Sequence, residues 1–369
     1  VKKLDDSIEE RKADHIEICL EEDVQAQKTT TGFEDVSLLH KALPEIEREK
    51  IDISTTVFGY KFSAPLFVGA ITGGTAKALK INSNIAEAVE ELNLGMGVGS
   101  QRAAIDKPKL KRSFRVVREK APTAFILANI GGPQLVGKYG VKEARKAVEM
   151  VQANALEIHL NALQEAVQPE GETNYSGLLN KIVEVAQDLE VPVIVKETGA
   201  GIAAEEAKML EEAGVAGIDV AGVGGTSWAA VEYYRAKRRQ DVFHQRLGET
   251  FWDWGIPTAV TLVETVQSVN VPVIASGGIR HGIDAVKALA LGASLASVAY
   301  PILQPATKGK EEVKTMLQGL IEETRTTMFL VGANLVQKLR KVPVVVAGKT
   351  AEWLRTRSFQ PELYARRRK

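Results

Sequence analysis

The chain has 369 residues, with 47 lysines and arginines against 47 aspartates and glutamates and a formal net charge of zero. That balance excludes a broad attractive field for nucleic acid or an anionic membrane, and one cysteine, Cys19, excludes an internal disulfide or a thiolate metal cluster. No apolar run reaches bilayer-spanning length and the charged N-terminus does not read as a signal peptide, so a soluble, cytoplasmic protein is expected.

Residues 1–63 are polar and charge-rich, with a helix expected over Arg11–Glu22 and a second over Ser37–Leu43. From Ala64 short apolar runs alternate with amphipathic stretches, the rhythm of strands joined by helices in a parallel sheet. The expected strands are Leu66–Ile71, Leu94–Gly99, Thr123–Ile130, Ala155–Leu160, Pro192–Lys196, Gly217–Ala221, Pro272–Ala275 and Leu295–Ala299. Eight such units predict an α/β fold, a (β/α)8 TIM barrel. An internal repeat supports the count: Val191-Pro-Val-Ile-Val195 returns as Val271-Pro-Val-Ile-Ala275 about eighty residues on. The predicted organisation is an N-terminal extension (1–63), the barrel (64–330) and a C-terminal helical tail (331–369). After the sixth strand lies an aromatic-rich insertion at about 228–256, holding Trp228, Tyr233, Tyr234, Trp252 and Trp254, suited to a lid or a subunit contact. The basic tail Ala365–Lys369 reads as a solvated terminus.

The run Val271–Arg280 is a strand that ends in Gly277-Gly278 and leads into a helix, and the next strand stops at Ala299-Tyr300. Two adjacent strands ending this way bring backbone N–H groups and a helix N-terminus around one phosphate-sized hollow. A competing signal is Thr198-Gly-Ala-Gly-Ile-Ala-Ala204, which follows a strand, opens a helix and has Asp219 about twenty residues later, as a dinucleotide fingerprint does. A doubly wound sheet would explain neither eight units nor the second glycine-rich turn.

Polar residues fall at the predicted strand ends: Thr72, Ser100-Gln101-Arg102, Asn129, His159-Leu-Asn161 with Gln164 and Glu165, Lys196, Thr226, Gly277–Arg280 and Ala299-Tyr300. Such a ring suits a planar, hydrogen-bonding cofactor anchored by a phosphate, and flavin mononucleotide (FMN) fits. Lys196 would face the flavin's electron-rich edge, Asn129 and Thr72 its amide edge, and the glycine turn its phosphate; the less favoured reading of Lys196 is a structural ion pair with Glu197 or Asp219. A second, basic group comprises Arg11, His15, Arg102 and His159, suited to a small polyanion, although spacing alone does not carry the N-terminal members to the barrel mouth. Glu165 reads either as a single Mg²⁺ carboxylate or as an exposed helix-start glutamate.

These segments together (Arg11-Lys-Ala-Asp-His15, Ala70-Ile-Thr-Gly-Gly74, Ser100-Gln-Arg102, His159-Leu-Asn-Ala-Leu-Gln-Glu165, Val195-Lys-Glu197, Gly224-Gly-Thr-Ser-Trp228 and Ser276-Gly-Gly-Ile-Arg280) resemble the type 2 isopentenyl-diphosphate isomerases, archaeal members above all. His159–Glu165 is the most specific of them, whereas Gly-Gly-Ile-Arg occurs across flavin barrels. The resemblance implies a homo-oligomer, a tetramer or octamer, that needs reduced FMN, Mg²⁺ and NADPH or another reductant, and interconverts isopentenyl and dimethylallyl diphosphate. It further implies that Arg11, Lys12, His15, Ser100, Gln101, Arg102, His159, Asn161, Gln164 and Trp228 meet the substrate, with Gln164 and His159 catalytic, and that Glu165 binds Mg²⁺. FMN would be held by Ala70, Ile71, Thr72, Ser100, Asn129, Lys196, Thr226, Gly277, Gly278, Ile279, Arg280, Ala299 and Tyr300. No pair of carboxylates is apparent for moving protons across the double bond. That directs the acid–base work to the reduced flavin, with Gln164 orienting or relaying a proton.

The main rival is an FMN-dependent oxidoreductase on the same barrel, of the 2-hydroxy-acid oxidase or dihydroorotate dehydrogenase kind. Against the oxidase, no histidine follows Lys196 or the next strand to serve as base, and His244 lies in the insertion. A flavin-free phosphosugar barrel and an interaction scaffold built on the aromatic insertion are further alternatives.

Overall fold

The barrel strands carry two layers of opposite character, and the strand period of two explains both. In the computed structural model, which describes residues 8–367, eight parallel strands close on themselves. In chain order the strands are β1 (Val36–Leu38), β2 (Thr55–Val57), β3 (Tyr60–Phe62), then the barrel strands β4 (Leu66–Val68), β5 (Gly95–Gly97), β6 (Phe125–Gly131), β7 (Ala155–His159), β8 (Val193–Lys196), β9 (Gly217–Asp219), β10 (Val273–Ala275) and β11 (Leu295–Val298), and last β12 (Val344–Val346). Closure runs β10-β11-β4-β5-β6-β7-β8-β9, with β9 beside β10. This is the (β/α)8 barrel expected.

Phe67, Phe125, Leu127, Ala155, Ile194, Ile274 and Leu295 form one buried apolar cluster that fills the lower barrel. Two residues further along the same strands stand Asn129, Glu157, Lys196, Ser276 and Ser297. The shift of two keeps them on the inner face but one layer nearer the C-terminal mouth. The interior therefore changes from dry to polar just below the site that strand ends build in such barrels.

The lower end is plugged by an antiparallel hairpin, β2–β3, which pairs Thr55–Val57 with Tyr60–Phe62. Phe62 is fully buried and meets Phe125 edge-on at a centroid distance of 5.5 Å. The charge-rich reading of residues 1–63 does not reveal this hairpin, because Thr55–Phe62 gains its value only from an aromatic hole built by distant residues.

Two further differences from the sequence-based expectations are structural facts. Ser37–Leu43 is not a helix: Val36–Leu38 is a strand, paired antiparallel with Val344–Val346. Helix propensity there yields to a β-branched partner more than three hundred residues away. The C-terminal part correspondingly holds a 3₁₀ segment, Val336–Lys341, and β12 besides its helices Gly348–Thr356 and Glu362–Ala365. Of the basic tail, Arg368 and Lys369 lie outside the described residues, as do residues 1–7 of the extension.

The insertion folds into two helices, Trp228–Arg238 and Val242–Thr250, and brackets the N-terminal helix Ile8–Glu21 over the mouth. Ser227 caps the first of these helices, accepting from Ala230 N, and donates to the Trp252 carbonyl at 2.6 Å. Trp252 Nε1 donates to the Gln25 carbonyl at 2.8 Å, and Arg239 meets Asp14 at 3.0 Å. Ile18, Val24, Ala230, Val231 and Trp252 form a separate buried cluster under this bracket. Arg235, 1 % exposed, is held by Glu232, Glu170 and Asp14, charges from three elements converging on one guanidinium. Among the described residues no helix is long and apolar enough to cross a membrane.

Candidate active site

One cavity opens at the C-terminal ends of the barrel strands and is roofed by the N-terminal helix. Its walls include all the residues expected there except Gln101: Arg11, Lys12 and His15 from the roof; Ala70, Ile71 and Thr72 after β4; Ser100 and Arg102 after β5; Asn129 on β6; His159, Asn161, Gln164 and Glu165 at and after β7; Lys196 on β8; Thr226 and Trp228 after β9; Gly277, Gly278, Ile279 and Arg280 after β10; Ala299 and Tyr300 after β11. Gln101 is fully buried instead. Its amide accepts from Asn129 N at 2.8 Å and donates to the Ala147 carbonyl at 2.9 Å, so it braces β6 and makes no wall of the cavity.

The phosphate end is a backbone construction. Gly277 and Gly278 have φ of 97° and 71°, left-handed values that disfavour any other residue. A Cβ on Gly225 would stand 2.4 Å from Gly278 N, so that glycine is what lets the turn settle against the β9 loop. Asp284 accepts from Arg280 N and His281 N at 3.1 Å each, and Glu323 accepts from Gly282 N. The first donors of the helix Gly282–Leu291 are therefore already taken, which leaves the cup to the Gly277–Ile279 turn, Thr226 and the start of the helix Tyr300–Lys308. Thr226 Oγ1 is buried without a hydrogen-bond partner and lies on the cavity wall, an orphan of the kind a ligand satisfies. The competing glycine-rich turn after β8 resolves differently: Glu197 folds back and its Oε2 accepts from the N–H groups of Thr198, Gly199, Ala200 and Gly201. That turn wraps the chain's own carboxylate, which takes the place a dinucleotide phosphate would need.

The roof supplies cations. Lys12 Nζ donates to the Ser100 carbonyl at 2.6 Å and sits 5.1 Å from the Phe114 ring centroid. Burial, with Arg11 and Arg102 nearby, draws its pKa down to about 7. Arg102 is held by Glu172 at 2.5 Å, and Gln134 donates to the other oxygen of Glu172 at 2.8 Å. His15 donates to Glu232 at 2.9 Å and meets Trp228 edge-on at 5.1 Å. Burial disfavours the Glu232 charge, yet His15 and Arg235 together bring its pKa down to about 2. This buried pair ties the roof helix to the insertion helix and supplies the tertiary reason, missing from spacing, for Arg11 and Lys12 reaching the mouth.

In the short helix after β7, Glu165 is 7 % exposed and accepts from Asn161 Nδ2 at 3.0 Å, Gln168 Nε2 at 2.7 Å and Glu172 N at 2.6 Å. It is neither an exposed helix-start residue nor part of an acidic cluster; no group of three metal-ligating side chains occurs among the described residues. Gln164 Oε1 accepts from Asn161 at 3.1 Å, which leaves the amide nitrogen for a ligand. His159 Nδ1 lies 2.7 Å from Asn129 Oδ1. Burial, then Lys196 and Lys12, lower the His159 pKa to about 3, so its ring is neutral at physiological pH. Lys196 Nζ donates to the Glu197 carbonyl and lies among Glu157 and Asp219, whose pKa values burial raises against its positive charge. Lys196 is thus a cavity residue whose charge also acts on buried carboxylates beneath it.

Gln134, Gln168, Thr198 and Ser276 also line the cavity and were not expected. Gln134 follows the end of β6 directly and Gln168 stands four residues after Gln164, so the strand-end rule and the helical repeat each carried a signal for one of them.

A family model described as FMN-dependent dehydrogenase matches residues 5–108 and 123–345. The chain is 51 % identical over 355 residues to an isopentenyl-diphosphate delta-isomerase of Methanosarcina barkeri, covering 96 % of each chain. It is 50 % identical over 367 residues to the one of Pyrococcus furiosus, covering 97 % of this chain and 92 % of that one. Among solved structures, a mandelate oxidase (TM-score 0.63, 18 % identity, 90 % and 96 % covered) and a flavocytochrome b2 double mutant with pyruvate bound (TM-score 0.65, 17 % identity, 92 % and 84 % covered) share the fold. The chain belongs to the FMN-dependent dehydrogenase family and, within it, to the isopentenyl-diphosphate delta-isomerases.

Proposed function

We propose that the chain interconverts isopentenyl and dimethylallyl diphosphate in this cavity, with reduced FMN and Mg²⁺ bound. The carrying observation is that a backbone phosphate cup and a cationic roof face one cavity whose remaining wall offers a neutral imidazole and one carboxylate.

The residues present fit FMN. The orphaned Thr226 hydroxyl and the Gly277–Ile279 turn suit its phosphate, Lys196 suits the electron-rich edge of its ring, and Thr72 and Asn129 suit the amide edge. When bound in its reduced state, FMN supplies an electron-rich face and exchangeable protons without net redox change.

Moving the double bond requires one proton added to carbon and another removed, and the hydrocarbon must be held still in a dry place for both. Arg11, Lys12 and Arg102 would hold the diphosphate, with Ser100, Asn161 and Gln164 as hydrogen-bonding partners. Glu165, turned inward by its three donors, would share Mg²⁺ with the diphosphate oxygens; one carboxylate plus phosphates is an ordinary Mg²⁺ set. His15 and Trp228 would wall off water beside the alkene. Gln164 would orient or relay a proton, and His159 would meet the substrate from the cavity wall. A reductant such as NADPH primes the cofactor; a homo-oligomer of four or eight chains, acting in the cytoplasm, completes the proposal.

The oxidoreductase alternative lacks a base of the expected kind: His244 is paired with Asp241 at 2.7 Å and lines no part of the cavity. The test is an anaerobic assay with reduced FMN, Mg²⁺ and isopentenyl diphosphate. Formation of the allylic isomer with no net change in flavin redox state is expected; its absence, or stoichiometric flavin oxidation coupled to product, would overturn the proposal.

A further inference from the structure

The segment that follows the roof helix is laid across the phosphate end of the cavity as a strap. Gln25 and Thr226 form an antiparallel bridge, in which Ala26 N donates to the Gly225 carbonyl and Ser227 N to the Val24 carbonyl, each at 2.8 Å. Trp252 holds the Gln25 carbonyl, and Asp253 Oδ1 accepts from the N–H groups of Gln27, Lys28 and Thr29 at 2.7, 2.9 and 3.1 Å. Further along, Thr31 packs so closely on the glycine turn that a Cβ on Gly278 would stand 2.3 Å from Thr31 Cγ2. From this strap the Gln25 side chain reaches Arg280, and its Oε1 accepts from the guanidinium. Arg280 also donates to the Ile279 carbonyl at 3.1 Å, and its guanidinium carbon lies 5.6 Å from the centre of the Tyr300 ring. The Tyr300 hydroxyl stands beside the Gln25 side chain.

The groups that touch this guanidinium are an amide oxygen, a backbone carbonyl and an aromatic ring, all neutral. Among the described residues no carboxylate forms an ion pair with it; Asp284, the carboxylate that acts on it, spends its Oδ2 on the N–H groups of Arg280 and His281. Burial works against the charge and draws its pKa below the ordinary guanidinium value. A desolvated cation on a cavity wall, without a counterion, is stabilised by an anion that enters beside it. We infer that Gln25 is a positioning residue for the FMN phosphate: its neutral oxygen holds the Arg280 guanidinium at the cup and leaves the charge for the anion. A carboxylate at position 25 would pair with Arg280 and set a negative charge near the phosphate. An apolar residue there would leave the guanidinium short of one acceptor and free to turn from the cup. The same bridge seats Thr226, whose orphaned hydroxyl lines the cavity, so one stretch of N-terminal chain positions two groups at the phosphate end. Part of the cofactor site therefore lies outside the barrel, in a segment that counting strand ends does not reach.

The inference rests on the cup holding the flavin phosphate, as proposed above, and binding reads it without turnover. The full-length protein is stripped of flavin and titrated with FMN and with riboflavin, which lacks the phosphate, while flavin fluorescence is followed. The ratio of the two Kd values isolates the phosphate end, and the wild type should favour FMN. Gln25→Glu should lower that preference at least about tenfold, the scale of one hydrogen bond to a charged group. Gln25→Leu should lower it about 2–10-fold, the scale of one neutral hydrogen bond. Riboflavin affinity should be kept in both. In an Arg280→Leu background Gln25→Leu should cost nothing further, because its route runs through the guanidinium. An unchanged preference in either Gln25 variant overturns the inference, and the two are read independently, so either one that folds decides it. Equal losses of FMN and riboflavin overturn it as well, since they mark the strap as structural support. So does an effect of Gln25→Leu that persists in full without Arg280. A wild type that binds both flavins equally would remove the phosphate cup itself, whereas a preference for FMN that Gln25 does not affect removes this inference alone.

Discussion

Lys12 offers a quantitative test of the cationic roof. Its amine is buried, bonded to the Ser100 carbonyl and flanked by Arg11 and Arg102, and its pKa falls to about 7. Protonation of the free protein at this residue is then about one half at pH 7 and about 3 % at pH 8.5. A diphosphate beside Nζ favours the ammonium form, so binding above pH 7 must take up a proton. If the ligand binds only the charged form, its apparent Kd rises about sixteenfold between pH 7 and 8.5 through Lys12 alone. Lys12→Arg keeps its charge throughout that interval and removes this dependence. Inorganic pyrophosphate is titrated calorimetrically into both proteins; its own ionisation is common to the two, so the ratio of their Kd values isolates Lys12. The ratio should change by about an order of magnitude across the interval, with close to one proton taken up by the wild type at pH 8.5. Parallel curves for the two proteins would refute the depressed pKa and with it the reading of a crowded cationic roof.

Other outcomes follow from single contacts. Glu165→Gln should raise the Mg²⁺ concentration needed for half-maximal activity, since the amide loses the charge and offers one acceptor oxygen where the carboxylate has two; an unchanged metal titration removes Glu165 from the metal site. Gly225→Ala forces a Cβ to 2.4 Å from Gly278 N. Overpacking of that kind costs about 1–3 kcal/mol, and FMN affinity, read from visible absorbance retained after gel filtration, should fall at least ~5-fold; undiminished yellow colour contradicts the cup. Glu172→Gln releases Arg102 from a part-exposed ion pair worth about 0.2–1 kcal/mol. Pyrophosphate binding should therefore tighten by up to about fivefold, and weaker binding would show that Glu172 assists the anion rather than competing with it.

Much of the site was legible in strand ends. Thr72, Arg102, Asn129, His159, Lys196 and the Gly277–Gly278 turn lie where a parallel barrel places functional groups, and counting eight apolar runs was enough to locate them. Gln101 shows the boundary of that rule: flanked by two cavity residues, it turns inward because the buried Asn129 and Ala147 backbone groups need partners. Glu197 marks another boundary, since a glycine-rich turn has the same sequence whether it cradles a phosphate or the chain's own carboxylate.

By itself the order of residues determined the alternation of strand and helix, hence the barrel, its functional end and the chemical types gathered there. These depend on local periodicity, which survives without knowledge of distant neighbours. Only the tertiary structure decided that the helix Ile8–Glu21 roofs the mouth, through His15 on Glu232 and Asp14 on Arg239, and that β1 pairs with β12. It likewise set the neutral state of His159 and the lowered pKa of Lys12, because burial and the approach of charges remote in sequence exist only once the chain has closed on itself.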